Sequence, residues 1–388
     1  MASNVVNQVV RVDYVPTLDG WRAIAVLGVV CFHCAKNDGM WPGSIFWKLA
    51  VRGHIGVDIF FAISGFLICG KLLQEFREKQ TISLKSFYIR RCFRIFPALW
   101  FYLAILGLLT TVGWIITYRW EFGSTLLFVR NYFPLYHNSV LGEYTAQFWS
   151  LGVEEYFYLL WAGAMLFVGP KISRIGWATL ILALSVFAWR SIDSIYGWWI
   201  PFGTSMDTKT DTRIDALLWG CLAAVVYPSL QTHLKRSTLQ YGLWAVIGLV
   251  AATVDLKFVA FSLVRAILFP AMLLATAMSP ASIVGRFLEL PVMRWIGRIS
   301  YSMYIWQQLA IFPAAGVHSP LAAIQRFPYN ISVVFVLAAV SYYIVELPMI
   351  RLGRRVAKHA GGGQVPTTRT PPGAQTPDTP LASISTGY

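Results

Sequence analysis

LDGWRAIAVLGVVCFHC, residues 18–34, decides the fold. From Trp21 to Cys34 the run is apolar, and only Arg22 and His33 bring basic groups into it. An ionisable side chain at membrane depth is unfavourable and usually faces a cavity. The stretch therefore reads as a membrane span with chemistry on one face. Arg22 and His33 are 11 residues apart. At about 100° per residue they return to nearly the same face, about 16 Å further along the helix. The plain alternative is an arginine and an imidazole at the two interfaces of one span.

Composition supports the membrane reading outward from this segment. Of 388 residues, 56 % are hydrophobic and only 13 % charged, and the mean hydropathy is +0.57. Soluble domains carry about 25 % charged residues. The 16 tryptophans suit the headgroup belts. Apolar runs suggest about ten spans, near 20–36, 55–75, 94–114, 148–168, 175–192, 213–228, 238–254, 260–279, 299–316 and 329–348. The stretch 121–135 is broken by Arg130, Asn131 and Pro134 and reads as a peripheral or re-entrant helix.

The net charge of +14 is informative through its placement. Basic residues concentrate between alternate spans: Lys71 to Arg94, Lys171 and Arg174, Lys235 and Arg236, Arg286 to Arg298, then Arg351 to Lys358. That is the positive-inside bias, with both termini cytosolic, and it gives no reason to invoke nucleic acid. An eleventh span at 121–135 would reverse it for every later cluster. The chain thus divides into a cytosolic segment 1–19, a membrane domain 20–350, and a basic then disordered tail 351–388, rich in Pro, Thr, Gly and Ser. The N-terminus lacks the features of a signal peptide. Cys31, Cys34, Cys69, Cys92 and Cys221 mostly fall within spans and read as buried thiols, without disulfide or metal site. No internal repeat marks an inverted-repeat transporter.

Other polar residues inside apolar runs are candidates for a site. In RGHIGVDIFFAISGFLICGKLL (52–73), Asp58 follows His54 by four residues, so it is placed to orient that imidazole or to hold an arginine; Ser64 follows. Arg90, Arg91 and Arg94 precede the third span, and guanidinium groups suit phosphate. FWSLGVEEYFYLLW (148–161) carries Trp149, Glu154, Glu155 and Tyr158, with Ser150, Glu154 and Tyr158 forming one polar stripe. Glu154 is placed to orient His33 or to bind a hydroxyl. Arg213 and Asp215 lie near the start of the sixth span, and Ser300, Tyr301, Tyr304, Trp306 and Gln307 lie in the ninth. Aromatic rings beside amides suit carbohydrate and suit an interfacial belt equally.

These pieces also carry a family pattern. LDGWRAIAVLGVVCFH, GHIGVDIFFAISGFLI, FYIRRCFRIFPALW, FWSLGVEEYFYLLW, TRIDALLWG, IGRISYSMYIWQ and YYIVELPMIR occur in order over residues 17–351. The sequence resembles the acyltransferase 3 family, membrane O-acyltransferases of bacterial polysaccharides, Nod factors and macrolides. The resemblance implies an all-α polytopic protein of the bacterial inner membrane. It implies an acyl-coenzyme A donor, commonly acetyl-coenzyme A, used as a cosubstrate without a tightly bound cofactor. It implies Arg22 and His33 as the essential pair, the three arginines as the basic loop, and Glu154 and Glu155 as paired glutamates. One departure stands out: Gln307 occupies a place where a histidine is common. The chain reads as the membrane core without an appended hydrolase-like domain.

The expected chemistry is proton acceptance by His33 from an acceptor hydroxyl that attacks the thioester, with Glu154 or Asp58 setting the tautomer. An acyl-histidine intermediate is the alternative route. The partners implied are acyl-coenzyme A, a carbohydrate or glycolipid acceptor, and lipid. The rival functions are a transporter or flippase, whose polar residues would line a path without covalent chemistry, and an acyltransferase for a small molecule such as a macrolide.

Overall fold

The computed structural model describes residues 14–37, 41–133, 144–169, 171–197, 206–234, 236–253, 259–312 and 319–360. Among these there are helices and turns and no strands. The helices are α1 (Pro16–Asn37), α2 (Ile45–Ala50), α3 (Gly56–Lys79), α4 (Leu84–Thr111), α5 (Arg119–Leu126), α6 (Phe148–Val168), α7 (Ile172–Tyr196) and α8 (Thr210–Arg213). They continue with α9 (Asp215–His233), α10 (Arg236–Thr253), α11 (Val259–Met278), α12 (Ile283–Leu288), α13 (Pro291–Ile311), α14 (Tyr329–Ser341) and α15 (Leu347–Ala360).

Each of the ten expected spans falls on a helix. Among the described residues eight segments are long and apolar enough to cross a membrane, and the chain is a polytopic, all-α membrane protein. The other two have distinct reasons for falling short. The apolar part of α10, Ser237–Ala252, is short. Helix α13 is sheltered by the bundle: every residue from Ile305 to Ile311 is buried. A helix enclosed by protein rather than lipid tolerates Ser300, Ser302, Gln307 and Gln308, which lowers its hydropathy. Residues 119–133 form no span. They make the eight-residue α5 and a short 3-10 turn, with Glu121, Arg130 and Asn131 buried.

Two boundaries differ from expectation. Helix α4 begins at Leu84, capped by the Ser83 hydroxyl, which accepts from Ser86 N at 3.4 Å. The arginine-bearing segment is therefore helix rather than loop. Cationic side chains reach the interface from a first turn, so the helix starts well before its apolar run. At the other end, residues 351–360 belong to α15, not to a tail. Ser86 Oγ donates to Ala357 O at 3.0 Å, and Gly353 lies against Phe93. Residues 1–13 and 361–388 of the expected terminal segments lie outside the described residues.

Close approach of α3 organises the centre. A Cβ on Gly65 would stand 1.9 Å from Leu217 O on α9, and one on Gly56 would stand 2.3 Å from Ala25 O on α1. Small residues allow such backbone contact, on which helix association in lipid depends. Helix α1 packs against α13 and α3, and α4 against α15. Between α14 and α15, residues Tyr342–Glu346 form a π-turn that places Glu346 inside the bundle.

Candidate active site

Helices α1, α3, α4, α6 and α13 enclose a cavity of about 120 Å³. One face of α3 supplies Val57, Phe60, Phe61, Ser64, Leu67 and Lys71, recurring at helical spacing. Arg22 comes from the first turns of α1, Arg91 and Arg94 from those of α4, and Ser150, Glu154 and Tyr158 from the polar stripe of α6. Ser300, Tyr301 and Tyr304 complete the wall from α13.

The wall carries four cationic side chains and one carboxylate, Glu154. Arg22 is held by Asp19 at 3.0 Å. Arg91 lies over the Tyr158 ring, 4.6 Å from its centroid. No carboxylate stands within salt-bridge distance of Lys71, Arg91 or Arg94 among the described residues. Glu154 is engaged by neutral donors: Ser64 Oγ at 3.1 Å and Tyr158 OH at 2.8 Å. Glu155 and Glu346 are not among the lining residues, and Glu346 accepts from Ser302 Oγ at 2.8 Å. Tyr304 OH bonds Gln147 O at 2.9 Å and Ser150 Oγ at 2.7 Å. Such a wall suits a ligand with several negative charges and a polar, flexible stem.

His33 is not on this wall. Arg22 lines the cavity and His33 does not, although the two share one face of α1; toward His33 the lining includes Val57, Phe60, Tyr304 and Ile305. His33 sits beyond, between the rings of Phe32 and Phe312 at centroid distances of 5.2 and 5.6 Å. Nor does Glu154 or Asp58 orient it. Its Nδ1 faces Gln307 Oε1 at 3.3 Å.

Several other expectations are redirected. Asp58 does hold an arginine, Arg213, and Arg190 pairs with Asp215; Asp58 has no bond to His54. His54 is exposed, with Nδ1 facing Val51 O at 3.1 Å. It belongs to a 3-10 turn, so the α-helical four-residue spacing to Asp58 does not apply. These ion pairs border a space of about 10 Å³ between α3, α7, α9 and α11, on another side of α3. Arg213 and Asp215 are thus paired with neighbouring side chains, away from the larger cavity. Trp149 packs edge-on against Phe61 at 6.1 Å beside the Arg213 guanidinium. Trp306 is buried among Phe101 and Tyr102. Arg90 lies about 100° around α4 from Arg91 and pairs with Glu75 at 3.7 Å, outside the cavity.

Ser300 and Tyr301, expected beside Tyr304, do line the cavity, and Lys71 joins them without having been singled out for binding. A helical count finds them: Lys71 is two turns beyond Ser64, and Ser300, Tyr304 and Gln307 share one stripe.

A family model described as an acyltransferase domain, that of the acyltransferase 3 family, matches residues 15–346. The chain belongs to that family. It is 30 % identical over 375 residues to a putative peptidoglycan O-acetyltransferase of Bacillus subtilis, covering 88 % of this chain and 56 % of the relative. It is 27 % identical over 372 residues to a peptidoglycan O-acetyltransferase of Listeria monocytogenes, with the same coverage. A putative O-acetyltransferase of Staphylococcus aureus is 29 % identical over 380 residues, covering 88 % of this chain and 58 % of the relative. The chain therefore spans a little over half the length of these relatives. No solved structure matches it. Two imidazoles, His33 and His54, stand on either side of the Phe32 ring near the Val57 and Tyr304 end of the cavity.

Proposed function

We propose that this chain transfers an acetyl group from cytosolic acetyl-coenzyme A to a hydroxyl of a polysaccharide or glycolipid precursor at the bacterial inner membrane. The observation that carries the reading is the open cluster of Arg22, Lys71, Arg91 and Arg94 inside a membrane bundle. Guanidinium groups bind phosphate through several donors at once, and coenzyme A is the acyl carrier with phosphates at one end and a thioester on a long arm. The cluster lies at the end of the bundle that the charge bias assigns to the cytosol. The relatives' names make a peptidoglycan-type sugar the first acceptor to test.

In this reading the phosphates rest on the four cations and the arm runs along Ser300 and Tyr304 toward His33. The thioester then needs the passage to extend by about one helical turn past Tyr304. Neutral His33 takes the proton of the acceptor hydroxyl as its oxygen bonds to the acetyl carbon. The carbon–sulfur bond breaks, and the proton passes on to the departing thiolate, releasing coenzyme A. Phe32 and Phe312 keep bulk water from the thioester.

The test is labelled acetyl transfer by inserted full-length protein. His33→Ala is expected to lose at least about 100-fold in turnover, and Arg22→Ala to lose donor affinity. Wild-type transfer in both variants would overturn the assignment. Label-free acceptor crossing the bilayer in the absence of acetyl-coenzyme A would favour a flippase instead.

A further inference from the structure

His33 and Gln307 meet from α1 and α13 past the Tyr304 end of the cavity. The Gln307 side chain is wholly buried, and its Oε1 faces His33 Nδ1. A carbonyl oxygen only accepts, so the facing ring nitrogen carries the proton. A neutral imidazole has one ring proton, and placing it on Nδ1 leaves the lone pair on Nε2. We infer that Gln307 is a positioning residue that holds His33 in the Nδ1–H tautomer with Nε2 free for an acceptor hydroxyl. Its bearing on catalysis rests on the acyl-transfer reading above; the tautomer itself does not.

A second observation bears on why an amide stands here. Gln307 Nε2 is buried without a hydrogen-bond partner among the described residues. A buried donor left unpaired is unfavourable, so an apolar side chain of similar size would suit the packing better. The residue fits its contact with the imidazole better than it fits the core. The charge environment agrees. Lys36 faces His33 from its own helix, His54 lies on the far side of Phe32, and α13 contributes the neutral Gln307. No carboxylate bonds the ring among the described residues. A neutral acceptor orients the imidazole and favours its protonation less than the carboxylate partner of a hydrolase triad does.

Solid-state NMR of the full chain with nitrogen-15 histidine in phospholipid vesicles reads the tautomer without turnover. The chain has six histidines, and His33 is assigned by the signal lost in His33→Gln. The expected result is Nδ1–H in the wild type and a mixture of tautomers in Gln307→Leu. Nε2–H in the wild type, or an unchanged tautomer in Gln307→Leu, would overturn the inference. A kinetic arm follows thiol release from acetyl-coenzyme A with chitotetraose as acceptor. Gln307→Leu should lower turnover at least about tenfold at unchanged KM for the donor and with an unchanged melting temperature. Gln307→Glu keeps an acceptor and adds a charge, so it should retain turnover while the acid limb of the profile moves to higher pH. Equal, pH-independent losses in both variants with lowered melting temperatures would reduce Gln307 to a packing role and overturn the proposal. Absence of thiol release by the wild type would defeat the acyl-transfer reading alone, and the NMR result would still decide the tautomer.

Discussion

Two charged regions flank α3, and they use arginine in opposite ways. On one side Arg213 meets Asp58 and Arg190 meets Asp215, around a space no larger than a water molecule. On the other, Lys71, Arg91 and Arg94 face a cavity of about 120 Å³ with no carboxylate in salt-bridge reach among the described residues. Both regions hold intramembrane arginine, which by itself marks function. The difference lies in whether a partner already stands opposite. Paired charges tie α3 to α8 and α7 to α9. Cations held apart from carboxylates keep their donors for an incoming anion.

The largest expected effect breaks the paired side. Arg213→Ala leaves the partly buried Asp58 without its cation and should destabilise the protein by up to about 3 kcal/mol. Thermal unfolding in detergent measures this, and the double variant Asp58→Leu with Arg213→Met should recover most of the loss. A comparable fall in activity at full stability would instead make the pair part of the site. Next, Arg91→Ala or Arg94→Ala should raise KM for acetyl-coenzyme A by about 10- to 100-fold, since hydrogen bonds to charged groups contribute about 1.5–3 kcal/mol. Melting temperatures should hold or rise, because crowded like charges are relieved. Destabilisation matching that of Arg213→Ala would erase the contrast between the two sides.

The smallest effect concerns a cation with a structural task. Lys209, outside the spans, is wholly buried, donates to Asn131 O and lies beneath the Tyr132 ring. Burial pushes its ammonium down to about 8. The unfolded chain, with an ordinary lysine near 10.4, then binds more protons between those two values. Stability contributed by this group should therefore rise with pH across that window, by a few degrees in melting temperature at most. Lys209→Met should flatten that slope, and an unchanged slope would reject the assignment.

Helix positions were legible in the sequence because hydropathy reports them directly. Helix ends were less so: the first turns of α4 are cationic, and the last turns of α15 are strongly basic, so neither reads as apolar. Of the candidate site, Arg22, Arg91, Arg94, Ser64, Glu154, Tyr158 and Tyr304 do converge on one cavity. A polar residue in an apolar run signals that it faces protein, but not which neighbour it meets. In sequence Arg213 and Asp215 are polar residues at the edge of an apolar run, as Glu154 is within one, and only packing reveals that they pair with Asp58 and Arg190. The partner of His33 illustrates the converse: Gln307 looked like a missing imidazole and proves to be the group the ring faces.

The π-turn at Tyr342–Glu346 acts as an indexing step in the last long rod of the bundle. A π-turn carries one residue more than the regular winding, and each residue adds about 100° of rotation. That extra residue sets the azimuth of everything after it, bringing Gly353 onto Phe93 and the Ala357 carbonyl onto Ser86 at the foot of α4. The same helix foot bears the two cavity arginines, so the winding defect fixes how the chain's basic end is clocked against them.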